Sequence, residues 1–377
     1  VLPAAGWDRW STDWPDPCVW GVDVGGANLK VTCLRASQVA AESRSHPFAL
    51  WQAPDRLAEQ LRQMVAGLPR PARVAVTMTG EIADCYSHKS AGVASIVDHC
   101  EMAFAGLGGE IAYYCQSPLT GAAFCDAETA RRHWPLVAAS NWHAVATLWG
   151  THFQQQYSAA GLIADLGSTT LDLTPVPNGR SIAPRSDYQR MACGTLVYTG
   201  WRRSPLTMVL PEVEFCGQRL PLAQEVFATM TDVYLITGDL AANPASRETA
   251  DGRATTPGQA AQRIARLLCS DADELPAGLV QEIAIQAKAR HLRLLSQSLQ
   301  RCLSDEGARS GWLFLIGEGE GLLRQAVAQL DERGPAPGIL VSGAEVVGPA
   351  VSEVLPAWSV AVLGAQAGNP KKGTVDV

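Results

Sequence analysis

Asp23 and Asp165 each stand at the end of an apolar run, just ahead of a glycine-bearing turn. The second setting is the richer. Gly161-Leu162-Ile163-Ala164-Asp165-Leu166-Gly167-Ser168-Thr169-Thr170-Leu171-Asp172-Leu173 places a Gly-Ser-Thr-Thr turn between two β-type runs, the pattern of a tight hairpin with a carboxylate at its mouth. Such a turn offers an anion several donors. Gly167 lets the backbone come close, the N–H groups through Thr170 form a nest, and the Ser168, Thr169 and Thr170 hydroxyls add hydrogen bonds. A carboxylate repels phosphate, so Asp165 would work through a hard cation such as Mg²⁺ or its water. An ordinary polar turn has the same composition, and the segment alone does not decide between them.

A second copy decides. Gly21-Val22-Asp23-Val24-Gly25-Gly26-Ala27-Asn28-Leu29-Lys30-Val31 aligns with it without a gap, since 165 − 23, 167 − 25 and 171 − 29 all equal 142. A chain that repeats one loop at that interval repeats the domain around it. Gly25, Gly26 and Asn28 therefore join Gly167, Ser168, Thr169 and Thr170 as phosphate-cradling candidates. Two such hairpins facing one cleft resemble the actin, sugar-kinase and Hsp70 superfamily. The resemblance implies an α/β protein of two duplicated ribonuclease H-like domains around a central cleft.

The elements that must position these residues are legible as hydrophobic periodicity. At 377 residues the chain has room for two domains, each with its own core. We expect an irregular tryptophan-bearing arm over 1–17, a first domain over 18–155, a second over 156–368 and a loose tail over 369–377. In the first domain, strands are expected near 19–24, 29–35, 38–46, 73–79 and 111–115, with helices near 55–65, 91–104 and 136–151. The second should hold the hairpin 161–176, helices near 258–270 and 280–303, strands 312–316 and 338–342, a helix over 343–354 and a closing segment 358–367. Residues 185–203 crowd arginines, a phenol and two glycines with little helical periodicity and read, within a region of about 185–255, as an inserted substrate loop, while 225–236 reads as a helix or helix–strand junction. His291, on an apolar helical stripe, reads as a packed surface histidine.

Composition excludes some functions. A net charge of −7 argues against a nucleic-acid platform, and no apolar stretch is long enough to span a bilayer. Ten cysteines without a C-x-x-C pair offer neither a zinc knuckle nor a redox couple. The expectation is a cytoplasmic protein acting on small molecules, with self-association left open.

Further candidates lie at strand ends and in loops. The strand 73–79 delivers Thr79, Gly80 and Glu81 to the edge of the sheet where open α/β folds gather ligands, with Asp84 close behind. Glu81 serves equally well as the acid of a helix N-terminus. Asn141 either reaches the cleft or is a buried amide satisfied by backbone. Gly317-Glu318-Gly319-Glu320-Gly321, between a central strand and a helix start, suits a diphosphate or nucleotide held over backbone N–H groups.

Several stretches together point to a narrower group. Thr77-Met78-Thr79-Gly80-Glu81 with Asp84-Cys85, Asp165 to Thr170, Leu196-Val197-Tyr198-Thr199-Gly200, Phe227 to Leu235, Ala250-Asp251-Gly252-Arg253 and Gly317 to Glu320 resemble hydantoinase/oxoprolinase-like proteins tied to tetrahydromethanopterin-linked C1 transfer, with archaeal members in methanofuran biosynthesis. The resemblance covers all but the arm and the tail. It implies a transferase that joins a furanmethyl diphosphate to the phenol oxygen of a tyramine- or tyrosine-derived amine, with pyrophosphate leaving. On that reading Asp23, Asp165 and Asp172 hold Mg²⁺ or its waters. Lys30, seven residues after Asp23 as in actin's first phosphate loop, neutralises the leaving group. Glu81, or in competition Asp84, is the general base. Thr79, Asn141, Tyr198 and Arg253 contact substrate, and Gly317 and Gly319 contact phosphate. Lys30 stands where the second loop has Asp172, and Ala27 and Asn28 replace the hydroxyls usual in kinases; this disfavours ATP phosphotransfer but leaves ATP binding open. The alternatives are an ATP-dependent kinase or amidohydrolase and a nucleotide-dependent interaction protein. All of these readings require Asp23 and Asp165 to open onto one common hollow.

Overall fold

β1 (Cys18–Val24) is buried along its whole length, as the middle strand of a sheet covered on both faces must be. It pairs antiparallel with β2 (Asn28–Arg35), which pairs with β3 (Glu42–Pro47). On its other side it runs parallel to β4 (Arg73–Met78), then come β5 (Glu110–Cys115) and the antiparallel β6 (Ala123–Cys125). The second sheet repeats this plan. β7 (Gly161–Leu166) pairs antiparallel with β8 (Leu171–Val176), followed by β9 (Leu196–Val197). After the two-stranded ribbon β10 (Glu212–Phe215) and β11 (Gln218–Pro221), the parallel strands β12 (Trp312–Ile316) and β13 (Ile339–Ser342) extend the other side. The orders β3-β2-β1-β4-β5 and β9-β8-β7-β12-β13 are the same topology twice. The fold is therefore α/β, with two ribonuclease H-like halves. The computed structural model describes residues 18–35, 42–116, 123–304, 311–330 and 336–367. The expected N-terminal arm, the start of the third strand and the tail lie outside them.

Two helices form the layer between the sheets. Asn141–Tyr157 and Leu355–Gln366 contribute to one buried cluster that also holds Val19 and Ala75 of the first sheet and Ile163, Phe314 and Ile316 of the second. Trp149 stacks on Trp358 at 5.6 Å between ring centroids and meets Phe314 at 5.0 Å. Leu355–Gln366 is apolar all round and almost entirely buried, as a helix enclosed by two sheets must be. It lies so close to β1 that a Cβ on Gly21 would come within 1.8 Å of the Ala357 carbonyl oxygen. Arg73, buried at the start of β4, donates from Nη1 to the carbonyls of Gly364 (2.6 Å) and Ala367 (2.9 Å) while pairing with Glu110. A cation there satisfies the carbonyls at the helix C-terminus. No helix among the described residues is long and apolar enough to cross a membrane.

The structure departs from expectation where short elements defeat periodicity. Residues 185–255 are not a loop region. They hold helices Asp187–Cys193, Leu206–Val209 and Met230–Thr237 along with β9, β10 and β11. Ser186 caps the first of these by accepting from the Gln189 N–H, and Gly194 ends it at φ +77; seven residues are too few to show a period. The third helix begins only at Met230 because Thr229 and Asp232 form a reciprocal capping box. The helix expected over 136–151 breaks at Ala139 (φ +47) and starts afresh at Asn141. The segment 343–354 splits into Gly343–Val347 and Pro349–Ser352 at Gly348. His291 is fully buried rather than on the surface, bonded to the Tyr234 hydroxyl (2.6 Å) and to Thr199 Oγ1 (2.9 Å).

The Gly21 contact is testable. Gly21→Ala should lower stability by about 1–3 kcal/mol, the range for overpacking a tight interface, because backbone must yield. Gly258→Ala meets nothing within 4 Å and should leave the thermal midpoint unchanged or raised. Equal midpoints for the two variants would contradict the close packing of the last helix on β1.

Candidate active site

The two hairpins carry their polar residues in equivalent registers. Asp23 lies opposite Lys30 in the first, and Asp165 opposite Asp172 in the second. Each turn closes in the same way, Gly25 N–H on Asn28 O at 3.1 Å and Gly167 N–H on Thr170 O at 3.0 Å. The turns also meet. Asn28 Nδ2 donates to Ser168 Oγ at 3.3 Å, and Lys30 acts electrostatically on both Asp23 and Asp165. The two aspartates therefore stand close enough to act on one another and to share one lysine.

Neighbouring segments orient the turn peptides. The carbonyls of Gly26 and Ala27 accept from the N–H groups of Leu50 (3.0 Å) and Phe48 (2.8 Å). Those of Gly167 and Ser168 accept from Trp201 (2.9 Å), Arg202 (3.1 Å) and Arg203 (2.8 Å). A trans peptide is planar, so tying each carbonyl to one side turns the next N–H to the other. The outward donors are therefore those of Ala27, Asn28, Ser168 and Thr169. This corrects the expected donor set, because the N–H groups of Gly25 and Gly167 close hairpins and that of Gly319 is spent on Leu166 O at 2.9 Å. Gly317 serves close approach: at φ +93, a Cβ there would sit 2.3 Å from Asp165 Oδ1. Gly200 is equally constrained, since its Cβ would lie 2.4 Å from Ser168 O.

The carboxylates differ in environment. Burial pushes Asp23 up to about 6, against the pull of Lys30 and an Asn141 hydrogen bond. Burial likewise pushes Asp165 up to about 7; Lys30 opposes this, while Asp172 and Asp23 add to it. Asp23 Oδ1 is buried without a hydrogen-bond partner. Asp172 is engaged at both oxygens, by Arg190 Nη2 at 2.6 Å and by the Thr170 hydroxyl at 3.1 Å. These bonds brace the turn through Asp172, which the resemblance offered as a metal ligand. No three His, Cys, Asp or Glu side chains among the described residues form a protein-only metal cluster.

The remaining candidates fall into two groups. Glu81 is buried just beyond β4, neither oxygen has a hydrogen-bond partner, and burial pushes it up to about 7. Thr79 Oγ1 lies 3.7 Å from the Cβ position of Gly25, and its N–H bonds Val24 O, so it borders the first turn. Asn141 opens the central helix and reaches Asp23. Asp84, Tyr198 and Arg253 are exposed. Asp84 acts weakly on Arg203, and Arg253 pairs with its own loop neighbour Asp251, which in turn ties that loop to Arg263 and Arg266. These three are not brought onto the hollow with the turns. Sequence reasoning overlooked Arg190, which is buried, pairs with Asp172 and lies 4.1 Å over the Trp142 ring. It also overlooked Lys89 and the Arg202–Glu318 ion pair beside the second turn. Arg190 and Arg202 were visible only as members of basic clusters, which usually mark a solvated surface.

A model of the hydantoinase/oxoprolinase family matches residues 73–329. Among characterised proteins, the chain is similar to the (4-{4-[2-(gamma-L-glutamylamino)ethyl]phenoxymethyl}furan-2-yl)methanamine synthase of Methanocaldococcus jannaschii, with 28% identity over 345 residues, or 92% of this chain and 97% of that one. The protein of the same name from Methanococcus vannielii is 26% identical over 202 residues, 54% of this chain and 89% of the other. Among solved structures, nucleotide-free acetone carboxylase superposes with a TM-score of 0.51 at 11% identity, covering 91% of this chain and 70% of that one. That likeness concerns the fold alone.

The raised carboxyls make stability depend on pH. Between about pH 4 and 7 the folded chain holds protons on Asp23, Asp165 and Glu81 that the unfolded chain has lost. Their contribution is greatest below the unfolded values and is lost as pH rises through 6 to 7. In chelator-treated protein, Asp165→Asn should gain a few kcal/mol, up to about 4, over wild type at pH 8 and little at pH 4, since each tenfold difference in proton affinity between the folded and unfolded chain corresponds to about 1.4 kcal/mol and the rise to about 7 spans roughly three. Thermal melts across that range test it; a variant that loses stability uniformly would refute the assignment.

Proposed function

Because this chain belongs to the hydantoinase/oxoprolinase family, we propose that it is a furan-cofactor biosynthetic transferase, joining a furanmethyl diphosphate to a tyramine-derived phenol with release of pyrophosphate. The name of its archaeal relatives describes a phenoxymethyl-furan amine, a product containing an aryl ether to a furan methylene. In the proposed step the phenol oxygen attacks that methylene. The phenol oxygen bonds to the furan methylene carbon as that carbon's C–O bond to diphosphate breaks, and the phenol proton passes to a base.

The observation that carries this reading is the Asn28–Ser168 contact. It joins the two turns beside Lys30, and two adjacent sets of N–H donors would suit two linked phosphates better than a single monoanion. Ala27, Asn28, Ser168 and Thr169 would hold the diphosphate, with Thr170, Asp172 and Arg190 fixing the turn. Lys30 would oppose the charge that grows on the leaving oxygen. Glu81, held near neutrality by burial, is matched to accept a proton at physiological pH.

Magnesium fits the residues present. Asp23 and Asp165 are hard oxygen donors, one with an orphaned buried oxygen, and Mg²⁺ is commonly held by one or two carboxylates, waters and substrate phosphates. A bound ion would supply charge neutralisation at the diphosphate. Lys30 and the turn amides supply the remainder from the chain itself.

Incubation with an aminomethyl-furanmethyl diphosphate and γ-glutamyltyramine should yield the ether and stoichiometric pyrophosphate without nucleotide. ADP released from ATP, with no ether formed, would replace this reading with an ATP-dependent amidohydrolase or kinase. Lys30→Ala should reduce kcat by about tenfold or more while leaving KM within about threefold, because its charge matters most in the transition state. Glu81→Gln should cost about 10²–10⁴ in kcat and remove a limb of kcat/KM that rises with pH through about 7. Unchanged kcat in either variant would remove that residue from its role.

A further inference from the structure

Lys89 opens the helix Lys89–Phe104 that follows Glu81, and it is the cation nearest that buried acid. Its Nζ lies 3.8 Å from Glu81 Oε1 and 3.0 Å from Asp187 Oδ2. Asp187 belongs to the other half of the molecule, as the first residue of the helix after the second hairpin. Its other oxygen lies 3.7 Å from Arg190 Nη1, and Arg190 grips Asp172 at 2.6 Å, which accepts from Thr170 at 3.1 Å. One line of charges therefore runs from Glu81 across the junction of the halves to the second phosphate turn. The helix packs so tightly beneath Glu81 that a Cβ on Gly92 would lie 2.1 Å from the Glu81 carbonyl oxygen, which holds the backbone that carries Lys89 against that acid.

We propose that Lys89 is a positioning residue whose single ammonium is divided between Glu81 and Asp187, so that its pairing across the junction sets the proton affinity of Glu81. This deepens the transferase reading, on which Glu81 is the base. The division follows from geometry. A fully buried carboxylate with no hydrogen-bond partner is stabilised chiefly by its nearest cation, and here that cation is closer to a competing anion. The other groups facing Glu81 are few. Asp187 repels it, and the backbone amides of Glu81 and Ala139 favour its charged form without making hydrogen bonds of ordinary geometry. On the Asn141–Tyr157 helix, the nearest titratable side chain, His143, faces Tyr114, Arg185 and Arg190 instead. Removing Asp187 would return the ammonium to Glu81, whereas removing Lys89 would leave Glu81 facing Asp187 without its nearest cation.

The two variants must therefore move one titration in opposite directions. The Glu81 carboxyl carbon would be followed by ¹³C NMR in the full chain without substrate, assigned with Glu81→Gln. Lys89→Met should raise its midpoint by about one pH unit and Asp187→Asn should lower it by a similar amount, the scale of a nearby charge. Lys89→Arg should stay near wild type. Shifts of the same sign, or none in either variant, overturn the proposal; if Lys89→Met does not fold, an unmoved midpoint in Asp187→Asn does so alone. This measurement needs no turnover, so it separates the two ideas. Opposed shifts without pyrophosphate release would leave the coupling standing and the transferase reading refuted. Opposed shifts that are matched by the rising limb of kcat/KM would support both.

Discussion

A hollow that crowds carboxylates around one lysine governs much of this molecule. Asp23, Asp165 and Asp172 act on one another across the twin hairpins, and burial raises the first two toward neutrality. Buried anions persist only when paired or hydrogen-bonded. Arg190 and Thr170 serve Asp172, Asn141 serves Asp23, and Lys30 is shared between Asp23 and Asp165. The surrounding structure follows from holding these groups still. The segment 200–203 is pinned to the second turn, with Gly200 permitting the approach, and residues 48–50 play the equivalent part for the first.

The duplication allows the two halves to be compared as an internal control. Sheet order, hairpin closure and the aspartate at the mouth are repeated, so these belong to the scaffold. What differs belongs to the chemistry of each side. The first turn has an amide and a lysine where the second has hydroxyls and an aspartate. The second half also carries the long stretch between β9 and β12, whose buried Tyr234–His291–Thr199 chain secures the segment 200–203 through Ser204, which accepts from the Gly200 N–H at 2.8 Å. A neutral histidine suits that role, and burial holds His291 down at about 4.

The hairpins were readable because their signal is local: alternating apolar residues, a glycine turn and a constant offset survive without any knowledge of tertiary contacts. Thr79 and Glu81 were legible from their place at a strand end. Arg190, Lys89 and Asp187 were not, since each acquires meaning only from a partner far along the chain; Lys89 and Asp187 are separated by 98 residues. The Gly319 donor was misread for a related reason. Its N–H is consumed by Leu166 of a different strand, and no spacing rule reports that. Short helices such as Asp187–Cys193 escaped because their caps, not their periods, define them.

The asymmetry of the two loops bears on the kind of transfer this hollow can assist. Transfer of a phosphoryl group asks the site to stabilise charge spread over the transferred group itself, between an incoming and an outgoing oxygen. Transfer of a carbon leaves the diphosphate whole, and negative charge grows on the oxygen it keeps. On the proposed reading, a lysine opposite Asp23, with no second carboxylate at that register, would set fixed positive charge against such an oxygen. Glu81 lies beyond β4, linked to the second turn through the Lys89–Asp187–Arg190 line rather than through either hairpin. On the proposed reading, acid-base work and anion binding sit on separate elements joined by that line of charges, so the state of the second turn bears on the proton affinity of Glu81.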